Sequence, residues 1–225
     1  MRWVESVKNG VYDVFFPPHC VACQAHGSWW CESCRSGIQF ASTNVHSNIG
    51  VLDGLVATGW YHDQKLRSAI TGLKYRGATC IEPLFKQYLM DWKEFHLGPW
   101  PWAGEEQLLI QSIPGAPSHV RSRGFDQTEI IARCFQAAVL PWAAMGRCVQ
   151  RADEDRLPQA RLETGLLRKA NVQELFYILP NAKVPEAVLL VDDVYTTGST
   201  MQEVARVLKK VGTKRVYGAV LAVGK

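Results

Sequence analysis

Apolar residues change their spacing several times along this chain, and each change predicts an element. Trp3, Val4, Val7, Val11 and Phe15 recur at helical spacing, and Pro17-Pro18 then stops a short amphipathic helix. Leu55 to Tyr61 reads as a strand. Leu66, Ile70 and Leu73 then share one face of a helix ending near Lys74, and Leu84, Phe85, Tyr88, Leu89 and Trp92 predict another. The tract LGPWPWAG breaks the pattern. An apolar strand follows from Leu108 to Ile113, ending at Pro114, and helical spacing returns at Ile131, Phe135 and Ala138.

The last third carries the most informative pattern. From Gln150 to Gln173 the chain is polar, mixed in charge and without period, which predicts a long loop or lid. Ala187 to Val191 is then a continuous apolar run, followed by the loop DDVYTTGST. Val204, Leu208 and Val211 form a helical stripe closed by Gly212, and Val216 to Val223 supplies a second buried strand. Strand, loop, helix and strand on this scale make a βαβ unit, so the fold class is α/β with a mostly parallel sheet. Between Gln39 and Gly54 the residues are rich in Ser, Asn and Gly, which predicts a boundary: 1–50 as an N-terminal unit and 51–225 as the main domain.

Composition narrows the class without choosing a function. With 225 residues the chain suffices for one sizeable domain and a small appendage. A hydrophobic share of 47% and a charged share of 20% argue against disorder. The net charge of +4 suits an anionic ligand and falls short of a dedicated nucleic-acid binder. The opening MRWVESVKNGVYDVFFPP lacks the apolar run of a signal peptide, and no stretch of about 18 apolar residues occurs; the expectation is a cytoplasmic protein without membrane insertion.

The DDVYTTGST loop offers specific chemistry. Thr196, Thr197, Gly198, Ser199 and Thr200 would present backbone N–H groups and hydroxyls at a helix N-terminus, where the macrodipole favours an anion such as a phosphate monoester. Gly198 would let the backbone approach closely, and Ser199 or Thr200 would cap the helix. Asp192 and Asp193, at the carboxyl end of the strand, are suited to accept hydrogen bonds from sugar hydroxyls or to orient Mg²⁺ and its waters. The alternative is an ordinary capped helix with two solvated acids.

Four of the seven cysteines form C-x2-C-x7-C-x2-C at Cys20, Cys23, Cys31 and Cys34. Two chelating pairs on so short a loop fit one tetrahedral ion, structural zinc or a rubredoxin-like iron, more readily than two disulfides in a reducing compartment. Cys80, Cys134 and Cys148 sit among apolar neighbours and are expected as core thiols. Trp29 and Trp30 beside the cluster are either packing groups or stacking groups for single-stranded nucleic acid.

VLLVDDVYTTGST resembles the PRPP-binding signature of type I phosphoribosyltransferases. The order CVAC…CESC, LKYRG, RSRGFDQTEIIA, then R-x7-Q and RKANVQELF, is similar to that of the ComF family of competence-associated, phosphoribosyltransferase-like proteins. Asp126 stands where that family commonly has asparagine. The resemblance implies a type I phosphoribosyltransferase fold, a twisted sheet flanked by helices, with a small N-terminal zinc-binding domain. It implies a site for PRPP or a related ribose phosphate in which Asp192 and Asp193 hold the ribose, and Val194, Tyr195 and Thr196 to Thr200 hold the 5′-phosphate. Lys74, Arg121 and Arg123 then face pyrophosphate, and Arg151, Gln159, Arg168 and Asn171 belong to a hood loop. Structural Zn²⁺, Mg²⁺ with PRPP, an unidentified acceptor, and a role in natural transformation with single-stranded DNA and other competence proteins complete the expectation. The rival is a non-catalytic PRPP or nucleotide sensor in the same machinery.

Overall fold

The computed structural model describes residues 18–41, 44–45, 49–73, 78–96, 99–153 and 175–224. The helix expected around Trp3 to Phe15 lies outside the described residues, as do Lys74, Gln159, Arg168 and Asn171. The strands are β1 (Asn44–Val45), β2 (Gly54–Trp60), β3 (Leu109–Ser112), β4 (Ala144–Met145), β5 (Val149–Arg151), β6 (Phe176–Ile178), β7 (Ala187–Tyr195) and β8 (Arg215–Val223). The helices are α1 (Glu32–Ser36), α2 (Gln64–Leu73), α3 (Ala78–Phe95), α4 (Pro117–Arg123), α5 (Gln127–Ala138) and α6 (Ser199–Lys210).

A six-stranded sheet runs in the order β1-β2-β8-β7-β3-β4, with β1 antiparallel to β2 and every other pair parallel. Side chains alternate across its plane. Leu189 and Val191 of β7 face a core built with Leu66 and Ile70 of α2, Phe85 and Trp92 of α3, and Ile131 and Phe135 of α5. Val188 and Leu190 face the opposite core, against Met201, Val204 and Leu208 of α6. Both sheet faces are thereby covered, which is why β7 reads as an unbroken apolar run.

Three local expectations are corrected. The strand does not end at Val191: pairing with β8 continues through Asp192↔Val220, Val194↔Ala222 and Tyr195↔Val223, so both acids stand on the strand's last turns of pleat. The stripe on α6 ends one position early, because the helix stops at Lys210 and Val211 is 47% exposed while Gly212 takes φ +104°. The region expected as a single long loop also has a folded base. There β5 and β6 pair antiparallel, and the buried Gln111 of β3 accepts from the N–H groups of Cys148 (2.7 Å) and Val149 (3.1 Å).

The cysteine segment packs onto the main domain. Trp30 is fully buried, with ring centroids 5.2 Å from Phe85 and 5.4 Å from Tyr88, and Trp29 is half-buried against the same core. Packing is therefore what the structure shows for both tryptophans. Cys134 and Cys148 are buried as expected, whereas Cys80, near the start of α3, is half-buried.

Candidate functional site

Because β2, β8, β7 and β3 are parallel, their carboxyl ends share one edge, where ligands bind in open α/β sheets. At the centre of that edge β7 delivers Asp192 and Asp193, and the chain turns through Thr196 and Thr197 into α6. The N-cap is Gly198 at φ +71°, with no side-chain cap; the expected capping by Ser199 or Thr200 is not found, because both residues already lie inside the helix. Thr197 Oγ1 instead accepts weakly from Ser199 N–H (3.4 Å). Thr196, Thr197, Ser199 and Thr200 are exposed, and among the described residues the amides of Thr197, Gly198 and Thr200 meet no protein acceptor. The turn encloses a small hollow of about 50 Å³, which Asp192 and Tyr195 also line.

A network that the sequence does not announce holds this turn. A Cβ on Gly198 would stand 2.1 Å from the Tyr195 ring, so the ring lies directly against the turn. The Tyr195 hydroxyl accepts from Gln202 Nε2 (3.3 Å), and the same amide donates to Ile49 O (2.7 Å) and accepts from Val51 N–H (2.7 Å). Gln202 thus ties the first turn of α6 to the segment before β2. Its partners lie some 150 positions away, which is why no local pattern marks it.

The two acids differ in their surroundings. Asp192 accepts from the N–H of Asp193 (2.8 Å), while Asp193 accepts from Val194 N–H (2.7 Å) and from Gln127 Nε2 (2.6 Å). Burial, followed by the neighbouring Asp193 carboxylate and, more weakly, by Asp126, holds the Asp192 carboxyl well above the usual carboxylate range. A cation or hydroxyl donors at this position would relieve that cost. The stability consequence has a definite sign. Below about pH 4 both folded and unfolded chains hold the proton; as pH rises from there through the folded-state pKa, stability falls. Asp192→Asn should therefore raise the melting midpoint at pH 7.5, by roughly 2–4 °C per kcal/mol relieved, and give no gain near pH 4. Thermal scans at the two pH values check this.

Asp126 is not a loose acid. Its carboxylate caps α5 by accepting from Thr128 N–H (3.1 Å) and Oγ1 (2.7 Å), and it takes Gly115 N–H at 3.4 Å. It thereby joins the loop after β3 to α5. Between them lies a hollow of about 230 Å³, lined by His119, Arg123, Asp126, Gln127 and Asp193 among others. Arg123 thus lines the same hollow as Asp193. Arg121 points elsewhere, into a bidentate pair with Asp153 (2.7 and 3.5 Å) at the end of the β5 arm. Arg151 stacks over Phe176 at 5.9 Å and lines an adjoining hollow with His119 and Asp153.

The sulfur atoms of Cys20, Cys23, Cys31 and Cys34 all lie within 4.8 Å of one another, with Cys23 and Cys31 at 3.6 Å. Four sulfurs at ~2.3 Å around one tetrahedral ion would be ~3.8 Å apart, so the cluster can hold a metal such as zinc. At Cys20 burial opposes the thiolate, but hydrogen bonds from the amides of Cys31, Cys23 and Ala22 outweigh it and bring the pKa down to about 6. Burial and the adjacent sulfurs push Cys34 the other way. An ion would stabilise the thiolate in all four.

Parallel sheet, acid pair on the central strand, open turn and following helix together define a phosphoribosyltransferase-type fold. The phosphoribosyl transferase domain family matches residues 182–225, which span β7, the turn, α6 and β8. Over 159 residues the chain is 25% identical to competence protein ComFC of Streptococcus pneumoniae (strain ATCC BAA-255 / R6), an alignment covering 69% of this chain and 62% of that protein. These similarities bear out the ComF resemblance and the fold read from the sequence. Among the described residues no helix is long and apolar enough to cross a membrane.

Proposed function

We propose that this protein binds PRPP with Mg²⁺ and transfers its phosphoribosyl group to an acceptor, in the cytoplasm, within the competence machinery that handles incoming single-stranded DNA. The observation that carries the reading is the turn ahead of α6, where Thr196, Thr197, Ser199 and Thr200 are exposed and, among the described residues, the amides of Thr197, Gly198 and Thr200 meet no protein acceptor, set beside two acids on β7. Thr196 to Thr200, with Val194 and Tyr195 behind them, would hold the 5′-phosphate. Asp192 and Asp193 would accept hydrogen bonds from the ribose hydroxyls and hold Mg²⁺ through its waters; the ion would supply charge compensation for pyrophosphate. Arg123 and Lys74 would face the leaving group, and Arg121 would join them by exchanging Asp153 for pyrophosphate oxygens. The C1–O bond breaks with the electron pair leaving on pyrophosphate. Gln159, Arg168 and Asn171 would close over the centre with Arg151 and exclude water from it. The four cysteines would hold structural zinc.

One observation favours a second reading, a PRPP-sensing adaptor that performs no chemistry: Arg121 is held in a bidentate pair by Asp153 rather than aimed at the acids. Pyrophosphate release from PRPP and Mg²⁺, measured across nucleobase, amine and single-stranded DNA acceptors, separates the two. Release that requires an acceptor and is lost in Asp192→Asn/Asp193→Asn supports the transferase. Tight binding without turnover supports the sensor, and absence of binding overturns both.

A further inference from the structure

His19 and His26 stand on either side of the first cysteine pair and belong to no site described above. They face each other across an isolated antiparallel bridge. Two backbone hydrogen bonds flank that bridge, Cys20 N–H to Ala25 O (2.8 Å) and Gly27 N–H to Pro18 O (2.9 Å), and neither joins the two histidines themselves. This is the non-hydrogen-bonded type of antiparallel pair, in which opposed Cα atoms approach to about 4.5 Å and the side chains stand closest. The imidazole rings accordingly meet with centroids 4.2 Å apart and planes inclined at 53°. His19 is half-buried and His26 exposed, and among the described residues neither imidazole hydrogen-bonds to a protein group or pairs with an acid.

Two opposed imidazoles are a chelating pair. Each offers a nitrogen lone pair lying in the ring plane, so inclined planes can aim both lone pairs at one point, whereas parallel stacked rings cannot. Nitrogens at ~2.0–2.1 Å from one tetrahedral ion stand ~3.3 Å apart, a separation that rings at the observed distance reach by rotating about their side-chain bonds. The bridge also closes the loop that carries Cys20 and Cys23. Within it Gln24 N–H donates to Cys20 O (2.9 Å), with Gln24 at φ +62°. An ion held by the cysteines therefore fixes the same backbone that opposes the two rings.

We propose that His19 and His26 form a second metal site, separate from the four-cysteine cluster, for an exchangeable borderline divalent cation such as Zn²⁺, with water completing its shell. Four sulfurs fill the coordination of the cysteine ion, while two imidazoles leave positions open, so the second ion is the weaker and more labile. Imidazole suits Zn²⁺ and its transition-metal neighbours, whereas Mg²⁺ prefers oxygen ligands. The site is independent of the phosphoribosyl-donor reading. Occupied, it clips together the two ends of the cysteine loop and stabilises the N-terminal segment.

Calorimetric titration of Zn²⁺, in excess Mg²⁺, into the full chain already carrying one equivalent of metal tests the site. A second, weaker equivalent is expected, lost in His19→Ala and in His26→Ala while the first is retained, which shows that the cysteine loop is still folded. Removing an outer-shell partner alone weakens a metal site roughly 10–100-fold, so loss of one of two ligands should cost at least as much. His62→Ala, outside the loop, should leave the second equivalent unchanged. Cys20→Ser should lose both, because the backbone that opposes the rings is then released. No uptake beyond the first equivalent, or uptake indifferent to His19→Ala and His26→Ala, overturns the site. Retention of the second equivalent in Cys20→Ser overturns its dependence on the cysteine ion.

Discussion

Gly198→Ala should abolish ribose-phosphate binding while leaving the protein folded. Gly198 sits at φ +71°, where an L side chain costs roughly 1–2 kcal/mol, and its added Cβ would meet the Tyr195 ring at 2.1 Å. The backbone cost alone would be shared by the whole fold; the collision acts on the turn, because Tyr195 is held from behind by Gln202. Either the ring or the turn must move, and the amides then no longer converge. A loss of about 100-fold or more in affinity for ribose 5-phosphate is expected, equivalent to roughly 2.8 kcal/mol. Gly212→Ala is the control, since Gly212 has φ +104° but open space around its Cβ position, so it should lower the melting midpoint without changing affinity. Unchanged ribose 5-phosphate affinity in Gly198→Ala would remove the turn from the site.

On the structural-zinc reading, removing the ion should produce the other large effect. The segment from Cys20 to Cys34 has one short helix of its own, α1, and contributes Trp30 to the core against Phe85 and Tyr88. Without an ion the four sulfurs lose their common partner, and structural zinc in small domains supplies about 10–16 kcal/mol of apparent folding free energy at pH 7. Chelation, or Cys20→Ser, should therefore release the segment, expose Trp30 and red-shift tryptophan emission, with one equivalent of metal lost per chain. Truncating a buried aromatic costs about 3–5 kcal/mol, so the melting midpoint of the whole protein should fall by several degrees. Metal analysis on the purified chain distinguishes zinc from iron. A protein whose emission and midpoint are indifferent to chelation would contradict a structural metal.

How far the sequence could be read follows from the range of each interaction. β7, α6 and β8 were legible because burial on both sheet faces leaves continuous apolar runs, and the helical stripe of Val204 and Leu208 is local. The chelating pairs of cysteines were legible for the same reason, as the spacing itself limits what they can hold. The end of β7 was not, since Asp192 and Asp193 look like loop residues until pairing with β8 carries the strand past them. The helix cap is not legible, because Gly198, Ser199 and Thr200 are all credible caps and only the backbone angle at Gly198 decides. Gln202 and Gln127, which brace the turn and Asp193, act through partners distant in the chain and carry no periodic signal. The resemblance sets Arg121 beside Arg123 at pyrophosphate; in the structure Arg121 pairs with Asp153, while Arg123 lines the hollow that Asp193 also lines, a difference that depends on the distant Asp153 and carries no local signal.

On the proposed function, a phosphorylated ribose sits between the turn and the two acids. Calorimetric titration of PRPP with Mg²⁺ into the wild-type chain and into Asp192→Asn/Asp193→Asn tests it most directly. One site per chain in the wild type, dependence on Mg²⁺, and loss of that site in the double variant with its fold retained are expected. Equal affinity in the two proteins, or no heat of binding in the wild type, would contradict it.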